Sequence, residues 1–111
     1  MNDAGYRLKT ARLRLGLTFR AVERASDAIA AAKQSPAYFL PISRLSDIEN
    51  HAAQPTIYRI YSLCAIYKIS FSEALRWYGV DLSQLSADAA AISFSGPPPL
   101  PAATPAGSAD R

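Results

Sequence analysis

The sequence has one cysteine, Cys64, and one histidine, His51, among 111 residues. A single thiol closes no internal disulfide, and one thiol with one imidazole falls short of a zinc donor set. No metal site is expected, no cofactor is expected, and Cys64 reads as a small core residue. Glycine is scarce, at five residues, and none of it forms a phosphate-cradling loop. The carboxylates are scattered, so no nucleophile and base can be paired and an enzyme is not expected. Apolar runs reach about five residues, at 28 to 32, against the roughly 20 that a membrane-spanning helix needs. The opening Met-Asn-Asp-Ala-Gly-Tyr-Arg has no apolar stretch before a small-residue cleavage site. A cytoplasmic protein without a membrane partner is therefore expected.

What is present is asymmetric. Residues 1 to 80 hold eleven Lys/Arg against six Asp/Glu, a net +5, whereas residues 81 to 111 carry −2. Six of the cations fall between Arg7 and Arg24, with Glu23 as the only acid among them. That is a modest signal for a polyanionic partner, and a solvated basic face would look similar. From residue 83 the chain turns Ser/Ala/Pro-rich, with Gly-Pro-Pro-Pro-Leu-Pro at 96 to 101. Residues 83 to 111 are expected to form a disordered Pro/Ala-rich tail or linker, because so little apolar surface cannot offset the entropy of ordering. The proline run reads as a spacer, or as a ligand for an aromatic groove.

Residues 6 to 80 read as five helices, since strand alternation never persists and helix-start signals recur. The first is expected over 6 to 15, stopped by Gly16, which accepts the left-handed conformation found just past helix ends. Thr18 caps the second, whose face of Phe19, Val22, Ser26, Ile29 and Lys33 carries it to about residue 33, where Ser35-Pro36 ends it. Pro41 or Ser43 opens the third, with Leu45 and Ile48 inward and Ser43, Arg44, Ser46 and Asp47 outward. Thr56 caps a fourth helix whose shared core face is Ile57, Ile60, Tyr61, Cys64 and Tyr67. Ser70 and Glu73 form a capping box before a fifth ending near Gly79.

Leu8-Lys9, Arg12, Gly16-Leu17-Thr18, Val22, Leu45, Ile48-Glu49-Asn50, Pro55-Thr56-Ile57, Ile60 and Ser70-Phe71-Ser72-Glu73-Ala74-Leu75, as an ordered set, resemble the Cro and phage-repressor helix-turn-helix family, also called the XRE type. The resemblance covers residues 6 to 78. It implies an all-α, five-helix, lambda-repressor-like DNA-binding domain over 6 to 80 that grips double-stranded DNA with its second and third helices, commonly as a homodimer. It also implies transcription regulation and a nucleoid-associated location. By alignment to the family, Ile42, Ser43 and Asp47 face bases, with Arg44 and Ser46 near the backbone or flanking bases. Arg44 is the leading base reader, because its planar fork suits guanine or a phosphate. Ser43 either reads a base or caps its helix. Phosphates would be held by Thr18, Phe19, Arg20, Ser46 and Asn50. Arg12 and Glu49 occupy positions of an internal, structural ion pair.

The sequence departs from that family in several places. Thr18 to Glu49 spans 31 positions, where a compact turn needs about 19, so an insertion falls within 27 to 41. Its Tyr38, Phe39 and Leu40 are expected to pack on the domain. Leu13 and Leu15 either cover that insertion or form an oligomer contact, for which Ile66, Trp77 and Tyr78 are further candidates. Phe19 stands where glutamine is common, Asp47 puts a negative charge among base readers, and the loop from His51 to Gln54 lacks cations. His51 takes a usual glycine position and is expected to end the third helix. Two functions follow: a sequence-specific DNA-binding regulator, or a protein-protein adaptor on the same fold. The adaptor would use the aromatics Tyr58, Trp77 and Tyr78 or the Pro-rich tail.

Overall fold

A computed structural model describes residues 3 to 94, whose regular elements are all helices, with no strand among them. Helix α1 is Ala4–Arg14, α2 is Phe19–Lys33, α3 is Ile42–Asn50, α4 is Ile57–Tyr67, α5 is Phe71–Trp77 and α6 is Leu85–Ala91. Short 3₁₀ turns at Pro36–Tyr38 and Leu82–Gln84 precede α3 and α6. Hydroxyl caps start three of these helices: Thr18 accepts from the amide of Ala21, Thr56 from Arg59 and Ser70 from Glu73, at 3.0, 3.2 and 3.1 Å. Each satisfies one of the amide donors that a helix start leaves without an intrahelical partner. Gly16 takes a φ of +70° after α1, as its position predicts. α2 ends instead on Gln34, a left-handed residue one place before Ser35-Pro36.

The core is Leu8 of α1, Val22 of α2, Leu40, Leu45 and Ile48 of α3, and Leu63 and Tyr67 of α4. Ile60, Cys64 and Ala74 form a smaller cluster between α4 and α5. Cys64 is buried in it, and burial raises its thiol pKa. The buried face of α4 is therefore Ile60, Leu63, Cys64 and Tyr67. Ile57 and Tyr61, expected on that face, are exposed, because the stripe is centred one position further along the helix. Ser26 and Ser62 are fully buried polar residues, and both are hydrogen-bonded. Trp77 and Tyr78 are half-buried against the main core, as is Ile66, so the expected exposed aromatic set reduces to Tyr58.

Residues 6 to 80 hold five α-helices as expected, and among the described residues a sixth follows: residues 82 to 91 correct the expectation of a tail that begins at 83. Asp81 anchors the turn by accepting from both the amide and the hydroxyl of Ser83, at 3.0 and 2.7 Å. These bonds hold its carboxyl below the usual carboxylate range. The Ala-rich stretch after it is compositionally plain yet has high helix propensity. The Gly-Pro-Pro-Pro-Leu-Pro run and the rest of the expected tail lie outside the described residues. Among the described residues no helix is long and apolar enough to cross a membrane.

Candidate nucleic-acid interface

The scaffold of the candidate site is the contact of α1 with α3. Arg12 donates to both carboxylate oxygens of Glu49, Nε to Oε2 at 2.8 Å and Nη2 to Oε1 at 3.0 Å. The side chains are only 10% and 1% exposed. Such a two-point bond fixes orientation as well as distance. The third arm, Nη1, donates to the carbonyl of Leu17 at 2.9 Å, and the guanidinium lies 4.4 Å over the ring of Phe19. The bond to Glu49 raises the pKa of Arg12 against the opposing effect of burial. One residue therefore fastens α1, the turn after it, α2 and α3 together.

Gly5 makes the same contact possible at the other end of α1. A Cβ built on it would stand 2.6 Å from the carbonyl oxygen of Ile48 and 2.9 Å from that of Glu49. No side chain fits between these two backbones. This close approach was not anticipated from the sequence, since a lone glycine near a chain start reads as a helix preamble.

At the start of α2, Thr18 is exposed and engaged with Ala21, while Arg20 projects into solvent. The amides of Phe19 and Arg20 lie in the first turn, where backbone donors face outward. The ring of Phe19 points the other way, packed against the core and beneath Arg12. Its side chain is thus structural, and only its amide is available to a phosphate.

Helix α3 is capped by Pro41, which offers no side-chain acceptor, and Ser43 lies in its first turn rather than at the cap. The capping alternative for Ser43 is thereby corrected. The missing acceptor comes from α2, where Glu23 Oε2 takes the amide of Ile42 at 3.1 Å. Ile42 is half-buried, Ser43 and Arg44 are exposed, and Leu45 and Ile48 are buried beneath them. Arg44 Nη1 lies 3.6 Å from Asp47 Oδ2, an exposed pair one helical turn apart. Asn50 Nδ2 donates to Ser46 Oγ at 3.3 Å. The outer face of α3 brings together Ser43, Arg44, Ser46, Asp47 and Asn50, and two pairs of these residues engage each other. His51 ends the helix, although the left-handed residue is Ala52, at φ +57°.

The connection from α2 to α3 is an ordered strut. Ser62 donates to the carbonyl of Tyr38 at 2.7 Å and Arg59 Nε to that of Phe39 at 3.0 Å. Ser26 accepts from the amide of Leu40 at 2.8 Å while donating to the carbonyl of Glu23. With Glu23 on Ile42, four side chains satisfy four backbone groups over five residues, as a buried chain path demands. Leu40 is fully buried; Tyr38 and Phe39 are half-buried. Tyr38 stacks edge-on with Tyr58 and Tyr61, centroids 5.3 and 5.5 Å apart, and Lys33 sits 4.9 Å over the ring of Tyr61. Leu13 and Leu15 do not cover this segment, since they stay 56% and 47% exposed.

Glu23, Arg59 and Ser62 carried no sequence signal for these roles. Ser26 did: a serine in the middle of the apolar face of α2 needs a partner once buried. Among the described residues no group of three or more His, Cys, Asp or Glu could hold a metal. Comparison of the chain with family models, with curated proteins and with solved structures finds no match.

Proposed function

We propose that this chain is a sequence-specific DNA-binding regulator whose α3 enters the major groove. The observation that carries the reading is a short helix with a polar outer face and a buried inner pair, Leu45 and Ile48. That helix is clamped to α1 by Arg12 and Glu49 behind a capped α2. A groove-reading helix needs this combination: a rigid seat below, and short or planar polar side chains above. Arg44, Ser43, Ile42 and Asp47 would meet base edges. Thr18, Arg20, Ser46, Asn50 and the amide of Phe19 would meet phosphates. The lambda-repressor-like arrangement and regulation of transcription belong to this proposal. The exposed cations Lys9, Arg14, Arg20 and Arg24 supply the sequence-independent attraction.

Selection from random duplexes at low salt tests it. An enriched motif is expected, with affinity falling steeply as salt rises because phosphate contacts release counterions. Arg44→Ala should relax base preference, and Arg20→Ala should weaken all sequences alike. Absence of any enriched motif overturns the reading.

The surface ring cluster of half-buried Tyr38 with exposed Tyr58 and Tyr61 favours the second reading, a protein adaptor. A retained protein partner that Tyr58→Ala abolishes, with no specific duplex shift, would select it over the first.

A further inference from the structure

Asp47 has no task on α3 that a neutral residue would not perform better for a helix that only needs to approach DNA. It is the outward carboxylate of α3, since Glu49 is buried against Arg12, and a negative charge in the groove is repelled by the phosphates. Its side chain is 40% exposed and that of Arg44, one turn back, is 62% exposed, with Nη1 3.6 Å from Asp47 Oδ2. Planar fork and carboxylate therefore end side by side on the outer face, their charges offset. Such a pair is a poor ligand for a phosphate, which calls for net positive charge. It suits a surface on which acceptors and a donor lie next to one another.

The start of α3 is equally unsuited to a phosphate. The amide of Ile42 already donates to Glu23 Oε2 at 3.1 Å, which places a second carboxylate at the end of the helix where an anion would otherwise bind. Positive charge that is free for the backbone lies on α2, where Arg20 is exposed and has no ion pair among the described residues. The middle of α3 is left to face base edges.

Those edges differ in the order of their groups. Guanine shows the acceptors N7 and O6 to the major groove, and the cytosine paired with it shows the amino donor N4. Adenine sets its N6 donor beside N7, which would oppose one arm of a guanidinium fork, and thymine offers one acceptor and a methyl group. Only a G·C pair presents two acceptors followed at once by a donor, because O6 and N4 are bonded to each other across the pair. A fork with a carboxylate at its side has the complementary order.

We infer that Arg44 and Asp47 act as one reader of a single G·C pair. Arg44 donates both arms to guanine N7 and O6, and Asp47 accepts from N4 of the cytosine paired with it. The inference rests on the DNA reading proposed above and names the base pair which that reading leaves open. Arg44 alone would serve a phosphate as well as a guanine; Asp47 beside it makes the phosphate the worse partner. The carboxylate thus lowers affinity for duplexes in general and supplies discrimination among them.

Selection from random duplexes with the full chain, followed by base analogues in the selected site, tests it. One invariant G·C pair is expected. Exchanging its guanine for 7-deazaguanine, which lacks N7, should weaken binding about tenfold. N4-methylcytosine in the partner strand, whose methyl group replaces the outward N4 hydrogen, should weaken it about tenfold as well. Arg44→Ala should become indifferent to the first change and Asp47→Ala to the second, with the rest of the motif kept. Both side chains are on the surface, so neither variant threatens the fold. A motif without that pair overturns the inference and leaves the DNA reading standing, as does an unaltered chain indifferent to either analogue or an Asp47→Ala variant that still responds to N4-methylcytosine. Absence of any enriched motif at low salt overturns both.

Discussion

The carboxylate of Glu23 on α2 accepts the backbone amide of Ile42, the first residue of α3, across 3.1 Å. Pro41, at the cap position, brings no side-chain acceptor, so an acid from a neighbouring helix supplies one, and it sets a negative charge at the positive end of the helix proposed to meet DNA. Glu23→Gln keeps an acceptor and removes the charge. It should lower stability by about 0.3–1 kcal/mol while strengthening duplex binding, because one anion fewer faces the phosphates. Urea melts and fluorescence titrations, read together, should show these opposite signs.

Glu49→Ala strands the guanidinium of Arg12 in a buried setting. The expected loss is about 3–5 kcal/mol, read in chemical denaturation. Arg12→Met combined with Glu49→Met should recover much of it, since no uncompensated charge then remains.

Gly5→Ala is expected to destabilise the fold by about 1–3 kcal/mol, even though alanine is the better helix former by about 1 kcal/mol. The obstacle is the backbone of α3, with the Ile48 carbonyl 2.6 Å from the new atom. Ala52→Gly should act oppositely, raising stability by about 0.5–1 kcal/mol, because Ala52 holds φ +57°. Thermal melts of the two variants check both signs.

Tyr67 and Tyr78 have buried hydroxyls with no hydrogen-bond partner among the described residues. Burial pushes the Tyr67 phenol far above its ordinary value, with the Glu49 carboxylate adding to the shift, and pushes Tyr78 up to about 12 from 10.0. Both groups stay protonated when folded and ionise earlier when unfolded. Their contribution is therefore intact below pH 10 and is lost as pH climbs from 10 towards 12. Denaturant midpoints at rising pH should fall in that window, and Tyr78→Phe should flatten the fall.

Asp47→Asn releases Arg44 from its partner 3.6 Å away. Stability should change by less than about 0.5 kcal/mol, as for exposed pairs generally. Duplex affinity should rise and its salt dependence steepen, which titrations at several ionic strengths would read.

Helix starts were legible wherever a hydroxyl cap stands before an apolar face, as at Thr18, Thr56 and Ser70. Gly16 marked a turn for the same local reason. Leu45 and Ile48 were legible as an inward pair because the helical period fixes their direction. The inner face of α4 lies one position further along than its spacing indicates, because Tyr61 is apolar enough to fit the stripe yet joins a surface ring cluster instead. α6 is not legible because alanine-rich sequence looks alike in a tail and in a helix, and the Asp81 cap belongs to the 3₁₀ turn before it, leaving α6 itself without a side-chain cap. At the candidate site, exposure of Ser43 and Arg44 followed from periodicity. The bonds of Glu23, Arg59 and Ser62 did not, since long-range partners of loop backbone leave no local spacing.

The strut between α2 and α3 bears on how this chain can change. Tyr38, Phe39, Leu40 and Ile42 are each satisfied by a side chain rooted in α2 or α4: Ser62, Arg59, Ser26 and Glu23 in turn. Trimming the segment in one step would strand those side chains, two of them buried serines, before any gain from a shorter path. Shortening it would need several coordinated replacements, each harmful alone. The length of this segment is thereby tied to side chains of α2 and α4, and single substitutions are expected to be tolerated more readily on the outer face of α3, where Ser43, Arg44 and Asn50 are exposed.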